Sequence, residues 1–117
     1  MISYEKIANG VINIKKVLSE IWRKVWNKIL TSIKSITNKF MTKFGEKVEG
    51  IALAMKRVDG SYKRVNSIYT KAGDGYKRTD ILTSVDEQEL PDELRSLQNG
   101  ESRDLTSDLE DVLILEY

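Results

Sequence analysis

Apolar residues in the first 48 positions recur at steps of three and four, which is the period of an α-helix. Ser3 is a suitable N-cap, and Gly45 and Gly50 lie where a helix would stop. We therefore predict a helix from residue 3 to about residue 48, which would break or fold back, if anywhere, at Gly10 or within residues 31–38. The positions that set the period are Tyr4, Ile7, Val11, Ile14, Leu18, Ile21, Val25, Ile29, Ile33, Ile36, Phe40, Phe44 and Val48.

After residue 50 the pattern changes to short runs that are typical of β-strands. We predict strands at residues 51–58, 62–70 and 76–85. Asp59 and Gly60 separate the first two, and both residue types tolerate the positive φ that a two-residue hairpin requires. With a second turn at residues 72–75, the three strands would form an antiparallel meander.

The C-terminal part is predicted to contain two short elements. Pro91 suits the first position of a helix that ends by Gly100. In the tail, Ser107 and Glu110 match a helix-capping box, whereas the apolar run beyond them favours a strand. We favour a short strand at residues 112–116.

These elements predict an α+β fold. A long N-terminal amphipathic helix, either coiled-coil-like or folded as a helical hairpin, would precede a small antiparallel β-meander and short C-terminal elements. The chain would divide into a basic amphipathic helical segment (1–48) and a small α+β domain (49–117) with an acidic C-terminal part. A helix over residues 3–48 would be about 68 Å long, and an eight-residue strand spans about 27 Å. The sheet would then cover less than half of the helix. The rest would have to be covered by a second copy, another protein's helix, a lipid surface, or the helix itself folded back.

Charge is strongly separated along the chain, although the net charge is only +1. Residues 1–48 carry ten Lys and Arg against three acids, residues 49–80 carry seven against four, and residues 81–117 carry two against eleven. Such asymmetry favours a basic surface for a polyanion or a membrane, or head-to-tail pairing between copies.

The absence of cysteine and histidine from the sequence removes several chemistries. Cysteine nucleophiles, histidine-dependent triads and zinc sites with nitrogen or sulfur ligands all need one of these residues. The sequence also has no G-x-S-x-G, P-loop or G-x-G-x-x-G motif. We therefore expect a protein that is not an enzyme and has no catalytic residue, cofactor or metal site. The lack of an apolar run of about 20 residues and of a signal-peptide pattern predicts a cytoplasmic location, with peripheral membrane attachment or membership of a larger assembly as alternatives.

The apolar stripe of the N-terminal helix is the predicted interaction surface. Trp22 and Trp26 lie one turn apart on it among basic residues. Such a pair fits a membrane interface, but it also fits a packed protein core, which we favour. The predicted surface comprises Leu18, Ile21, Trp22, Val25, Trp26, Ile29, Ile33, Ile36, Phe40 and Phe44, and the predicted anion or lipid contacts are Arg23, Lys24 and Lys28.

Two charged clusters have other interpretations. Basic residues with interleaved tyrosines at 56–78 would suit phosphates and stacked bases. The acids of residues 86–93 lack the spacing of a calcium-binding loop. Because charged strand and turn residues are mostly solvated, we predict neither a nucleic-acid partner nor a small-molecule substrate.

The function predicted from these patterns is a non-enzymatic interaction or assembly protein, structural or adaptor in kind. It would associate with itself or with a partner protein through the N-terminal helix. One alternative is a peripheral membrane-binding or membrane-active protein that uses the basic Trp-containing helix. Another is a protein-binding inhibitor or immunity-type partner that uses the acidic C-terminal half.

Overall fold

An antiparallel β-sheet with one long helix against it forms the centre of the molecule. The computed structural model describes residues 2–4, 12–14, 20–106 and 113–115, with side chains for residues 2–4 and 28–106. The elements are β1 (Ile2–Ser3), β2 (Ile12–Ile14), α1 (Glu20–Phe44), β3 (Val48–Val58), β4 (Ser61–Ala72), β5 (Gly75–Val85), a 3-10 helix (Glu87–Glu89), α2 (Asp92–Arg95), β6 (Ser102–Asp104) and β7 (Leu113–Leu115). The main sheet has the order β1-β3-β4-β5, and β6 also pairs with β3, on the edge away from β4. Strands β2 and β7 pair with each other.

The predicted long N-terminal helix is wrong, and with it the predicted fold class. The fold is mostly antiparallel β-sheet, and the long helix begins at Glu20. Ser3, the predicted N-cap, lies in β1 and pairs with Gly50 in β3, and residues 12–14, assigned to the helix, form β2, in which Ile12 pairs with Leu115 in β7. The predicted apolar helix positions Ile7, Val11 and Leu18 lie outside the described residues.

The error has a physical cause in the β-branched residues of the N-terminal segment. Ile14 fits the helical spacing of a longer pattern, but Ile12, Asn13 and Ile14 by themselves alternate with the two-residue period of a strand. Isoleucine packs well on a pleated sheet, and Gly10 disfavours a helix through this region. The strand that completes the pair lies about 100 residues away (115 against 12), so no local pattern could reveal it.

The predicted β-meander is confirmed. Asp59 and Gly60 connect β3 to β4 with φ values of 51° and 80°, the positive values that a two-residue hairpin turn requires. Strands β4 and β5 pair from Tyr62 opposite Val85 to Ala72 opposite Gly75. The N–H of Gly60 also donates a hydrogen bond of 2.8 Å to Oδ1 of Asn99, which joins the turn to the loop before β6.

Helix α1 and the sheet are well matched in length. A 25-residue helix is about 38 Å long, and the 11 residues of β3 span about 37 Å. The length mismatch expected from the sequence therefore does not exist, so the length of the helix does not require another molecule to cover it.

The hydrophobic core lies between α1 and one face of the sheet. The side chains of Ile33 on the helix and of Ile51 and Leu53 on β3 are each 1% exposed. Other buried core residues are Ile2, Ile29, Phe40, Val48, Met55, Tyr62, Ile68, Leu90, Leu94, Leu97 and Leu105. These residues come from both sides of position 48, so helix and strands share one core.

The C-terminal elements close one end of this core. Pro91, the predicted first helical position, is the N-cap of α2, so the helix begins one position later, at Asp92, and it ends at Arg95 rather than near Gly100. The phenolic hydroxyl of Tyr62 donates a 2.7 Å hydrogen bond to the carbonyl of Arg95. A strand in the tail is confirmed as β7, within the predicted range 112–116.

Candidate functional site

Most of the predicted helix surface that the structure describes is not exposed. Ile29, Ile33 and Phe40 are 5%, 1% and 5% exposed and belong to the chain's own core. Ile36 is partly buried against the same core, whereas Phe44, at the end of α1, is 55% exposed and lies 4.8 Å from Phe40 between ring centroids. These buried side chains are held by the sheet and are not free to contact another molecule.

The remaining predicted contacts lie near the start of α1. Lys28 is exposed, and its ammonium lies 2.6 Å from the carboxylate of Glu89. Leu18 lies outside the described residues. The backbone of α1 includes Ile21, Trp22, Arg23, Lys24, Val25 and Trp26, whose side chains lie outside the description, so their predicted roles stay predictions.

The sheet has a second face, which carries a different set of residues. Because side chains alternate along a strand, the face opposite α1 presents the other residues of β3, β4 and β5, and we call it the open face. Its central row crosses the three strands as Ala54, Val65 and Leu82. Leu82 is 62% exposed. The open face forms a shallow depression of about 780 Å³. Among the described residues, its lining comes from β3, β4 and β5 and from Gly100, Ser102 and Asp104.

Charged and polar rows flank the apolar row of the open face. Lys56 and Lys63 lie opposite each other on one side. On the other side, Ser67 lies opposite Asp80, and its hydroxyl donates a 2.7 Å hydrogen bond to the carboxylate. Arg78 donates two further hydrogen bonds to Asp80, of 2.8 Å and 3.2 Å. These bonds from Arg78 and Ser67 lower the pKa of Asp80, and the pairing raises the pKa of Arg78.

A cavity lies on the helix side of the sheet, between α1, the end of β5 and the 3-10 helix. It encloses about 160 Å³. Its lining is partly apolar, from Ile29, Met55, Val85 and Leu90, and partly polar, from Lys28, Ser32, Arg64, Thr83, Ser84 and Glu89. Towards Ser35 and Lys39 of α1, it adjoins a wider groove that also includes Lys28, Ser32 and Thr83.

Arg64 is a charged, largely buried residue that lines this cavity. It lies on β4 opposite Met55 and Thr83 and is 5% exposed. Its Nε donates a 2.8 Å hydrogen bond to Oδ1 of Asn66, and Nη2 donates one of 2.6 Å to the hydroxyl of Ser32. Burial lowers the pKa of Arg64, but a guanidinium stays protonated in proteins.

The sequence contained signals both for the burial of Arg64 and for the exposure of Leu82. Tyr62, Arg64, Asn66 and Ile68 occupy alternate positions of one strand, so an arginine and an asparagine had to share a face with core residues. Adjacent Ile81 and Leu82 likewise cannot face the same side, so one of them had to lie on the outer face. Grouping the basic residues of 56–78 by charge alone obscured this division between faces.

Other kinds of site find no support in the described structure. Within residues 2–4, 12–14, 20–106 and 113–115, no three acidic side chains come together where they could hold a metal ion. Neither helix in that part of the chain combines the length and apolar character of a bilayer-spanning segment. No family model, curated protein or solved structure matches the chain.

Proposed function

We propose that this chain is a non-enzymatic assembly protein whose copies associate through the open face of the sheet. The observation that supports this is the exposed Leu82 at the centre of an apolar row on that face. Single exposed apolar residues are common on soluble proteins, but an apolar centre with a charged rim is typical of an interaction surface.

The arrangement of charges favours a second copy as the partner. The cationic row of Lys56 and Lys63 lies on one side of the apolar row, and Asp80, with Arg78 paired to it, lies on the other. A two-fold axis along the apolar row would bring Lys63 of one copy towards Asp80 of the other, in both halves of the interface at once. Self-complementarity of this kind is what a two-fold symmetric dimer requires.

The size of the face sets the expected strength of association. Three strands about 4.8 Å apart and about seven residues long present roughly 340 Å² per copy. Stable interfaces bury about 800 Å² per partner. We therefore expect weak, concentration-dependent association, with a dissociation constant between about 1 μM and 1 mM.

Leu82→Lys tests this proposal by placing a charge in the apolar centre of the interface. Its side chain is largely exposed in the single chain, so the fold should tolerate the change. The matched control is Phe44→Lys, which changes another exposed apolar residue outside the open face. Light scattering over a concentration series should show the wild type and Phe44→Lys approaching dimer mass, while Leu82→Lys stays monomeric. Because an uncompensated charge in an apolar interface costs several kcal/mol, the association should weaken by about 100-fold or more.

A wild type that stays monomeric up to about 1 mM chain would exclude the proposal. So would an equal loss of mass in both variants, because the open face would then have no special part in association. Lys63→Glu should weaken dimerisation as well, and circular dichroism would confirm that each variant keeps its sheet.

A further inference from the structure

The cavity beside Arg64 presents a buried cation with most of its hydrogen-bonding capacity unused. A guanidinium has five N–H donors, of which the bonds to Asn66 and Ser32 use two. Among the hydrogen bonds and ion pairs of the described residues, none joins Arg64 to a carboxylate and none is donated by its Nη1. Burying a charge without a counter-charge is unfavourable.

A purely structural role for Arg64 is a poor explanation of this site. Methionine would fill a similar volume between Met55 and Thr83 at no cost in desolvation. Arg64 does supply the donor for Oδ1 of Asn66, but Asn66 is also held by other bonds, since its Nδ2 donates to the carbonyl of Ile81 at 2.8 Å and to Oγ1 of Thr83 at 2.9 Å. What an arginine adds here is a planar set of donors of the kind that matches a carboxylate.

The rest of the lining indicates the class of anion. Ile29, Met55, Val85 and Leu90 supply an apolar wall, which a fully polar ion such as phosphate would leave unused. The volume of about 160 Å³ is close to that of an engineered protein cavity of about 150 Å³ that binds benzene. A molecule with one anionic group and a small apolar body satisfies both parts.

We propose that this cavity binds a small organic acid, with its carboxylate on the guanidinium of Arg64 and its hydrocarbon body against Ile29, Met55, Val85 and Leu90. Ser32 and Thr83 also line the cavity, and the hydroxyl of Ser32 accepts a hydrogen bond from Nη2 of Arg64. Glu89 also lines the cavity and would repel an anion, but its carboxylate is paired with the ammonium of Lys28 at 2.6 Å. The proposal is independent of self-association, because the cavity lies on the opposite side of the sheet from the open face.

Benzoate is the probe for a direct test. Wild-type protein is titrated with sodium benzoate, and with benzyl alcohol and inorganic phosphate at matched ionic strength, while amide chemical shifts and the melting temperature are recorded. Benzoate should shift amide resonances around Arg64 and Thr83 in a saturable manner and raise the melting temperature. Benzyl alcohol and phosphate should each bind at least tenfold more weakly. No saturable benzoate binding would overturn the proposal, and equal binding of either control would overturn the assignment to an organic acid.

Two variants and a control identify the site. Arg64→Met should weaken benzoate binding at least tenfold; it removes a desolvated charge but also leaves Oδ1 of Asn66 without its donor, so circular dichroism should confirm that the sheet is intact. Val85→Phe fills the apolar part of the cavity, leaves Arg64 and its hydrogen bonds in place, and should also abolish binding. Arg78→Met removes the same charge from the opposite face and should bind like the wild type. Undiminished binding by Arg64→Met or Val85→Phe would place the ligand elsewhere and refute the proposal.

Discussion

Replacing Gly60 by valine tests the conformation of the β3–β4 turn. Gly60 has a φ of 80°, in the left-handed region that β-branched residues avoid. A Cβ atom added at this position would meet no atom within 4 Å, so the substitution introduces backbone strain without a steric clash. The left-handed conformation costs an L-residue about 1–2 kcal/mol. We therefore expect Gly60→Val to lower the free energy of unfolding by about 1–2 kcal/mol.

The control is Gly75→Val in the neighbouring β4–β5 turn. Gly75 has no positive φ, and a Cβ there would also meet no atom within 4 Å. Replacing a glycine that has an ordinary conformation restricts the unfolded chain and tends to stabilise by about 0.4–1 kcal/mol. Urea denaturation followed by circular dichroism measures both variants, and 1 kcal/mol corresponds to about 4 °C in melting temperature for a protein of this size. Equal stability changes in the two variants would refute the assignment of strain to Gly60.

Two further predictions concern the core and the open face. Leu53→Ala should lower the free energy of unfolding by about 3 kcal/mol, because it leaves a cavity at a side chain that is 1% exposed. Leu82→Ala, at an exposed position, should change the free energy of unfolding by less than about 0.5 kcal/mol. Urea denaturation at low protein concentration measures both, and similar losses would contradict the assignment of Leu53 to the core and Leu82 to the surface. Asp80 has a pKa below its usual value of 3.8, because Arg78 and Ser67 donate hydrogen bonds to the carboxylate. The charged form of Asp80 therefore stabilises the fold above about pH 4, and this contribution is lost as the pH falls through the lowered pKa. Asp80→Asn should therefore reduce stability slightly at pH 7 and flatten its decline on acidification, and an unchanged acid titration of stability would contradict the predicted role of the pair.

The parts of the fold that the sequence predicts correctly are those that depend on neighbouring residues. Asp59 and Gly60 identify a tight turn because few residue pairs adopt positive φ at both positions. The strands on either side follow from alternation over a few positions. Pro91 similarly marks the start of a short helix within one residue, since its fixed φ suits that position.

The parts that were predicted wrongly depend on contacts between distant residues. Ile12 could have continued a helix, and only its pairing with Leu115 determines that it lies in a strand. The same limit applies to the candidate sites. Arg64 and Arg78 are both basic residues near a predicted hairpin, but one is buried beneath α1 and the other is exposed beside Asp80. Their difference follows from strand alternation together with the position of the helix, which charge counts do not contain.

The pairing of β2 with β7 has a consequence for the order in which the chain folds. Formed first, it would close a loop of about 100 residues, at an entropic cost of about 4 kcal/mol. The hairpins β3–β4 and β4–β5 close loops of only a few residues, and their contacts are local in sequence. We therefore expect the meander to form early and to bring α1 and β6 into place, after which the loop that remains to be closed is much shorter. Strands β2 and β7 should therefore pair late, and a ribosome would have to release the chain through residue 115 before this last pair of strands could form.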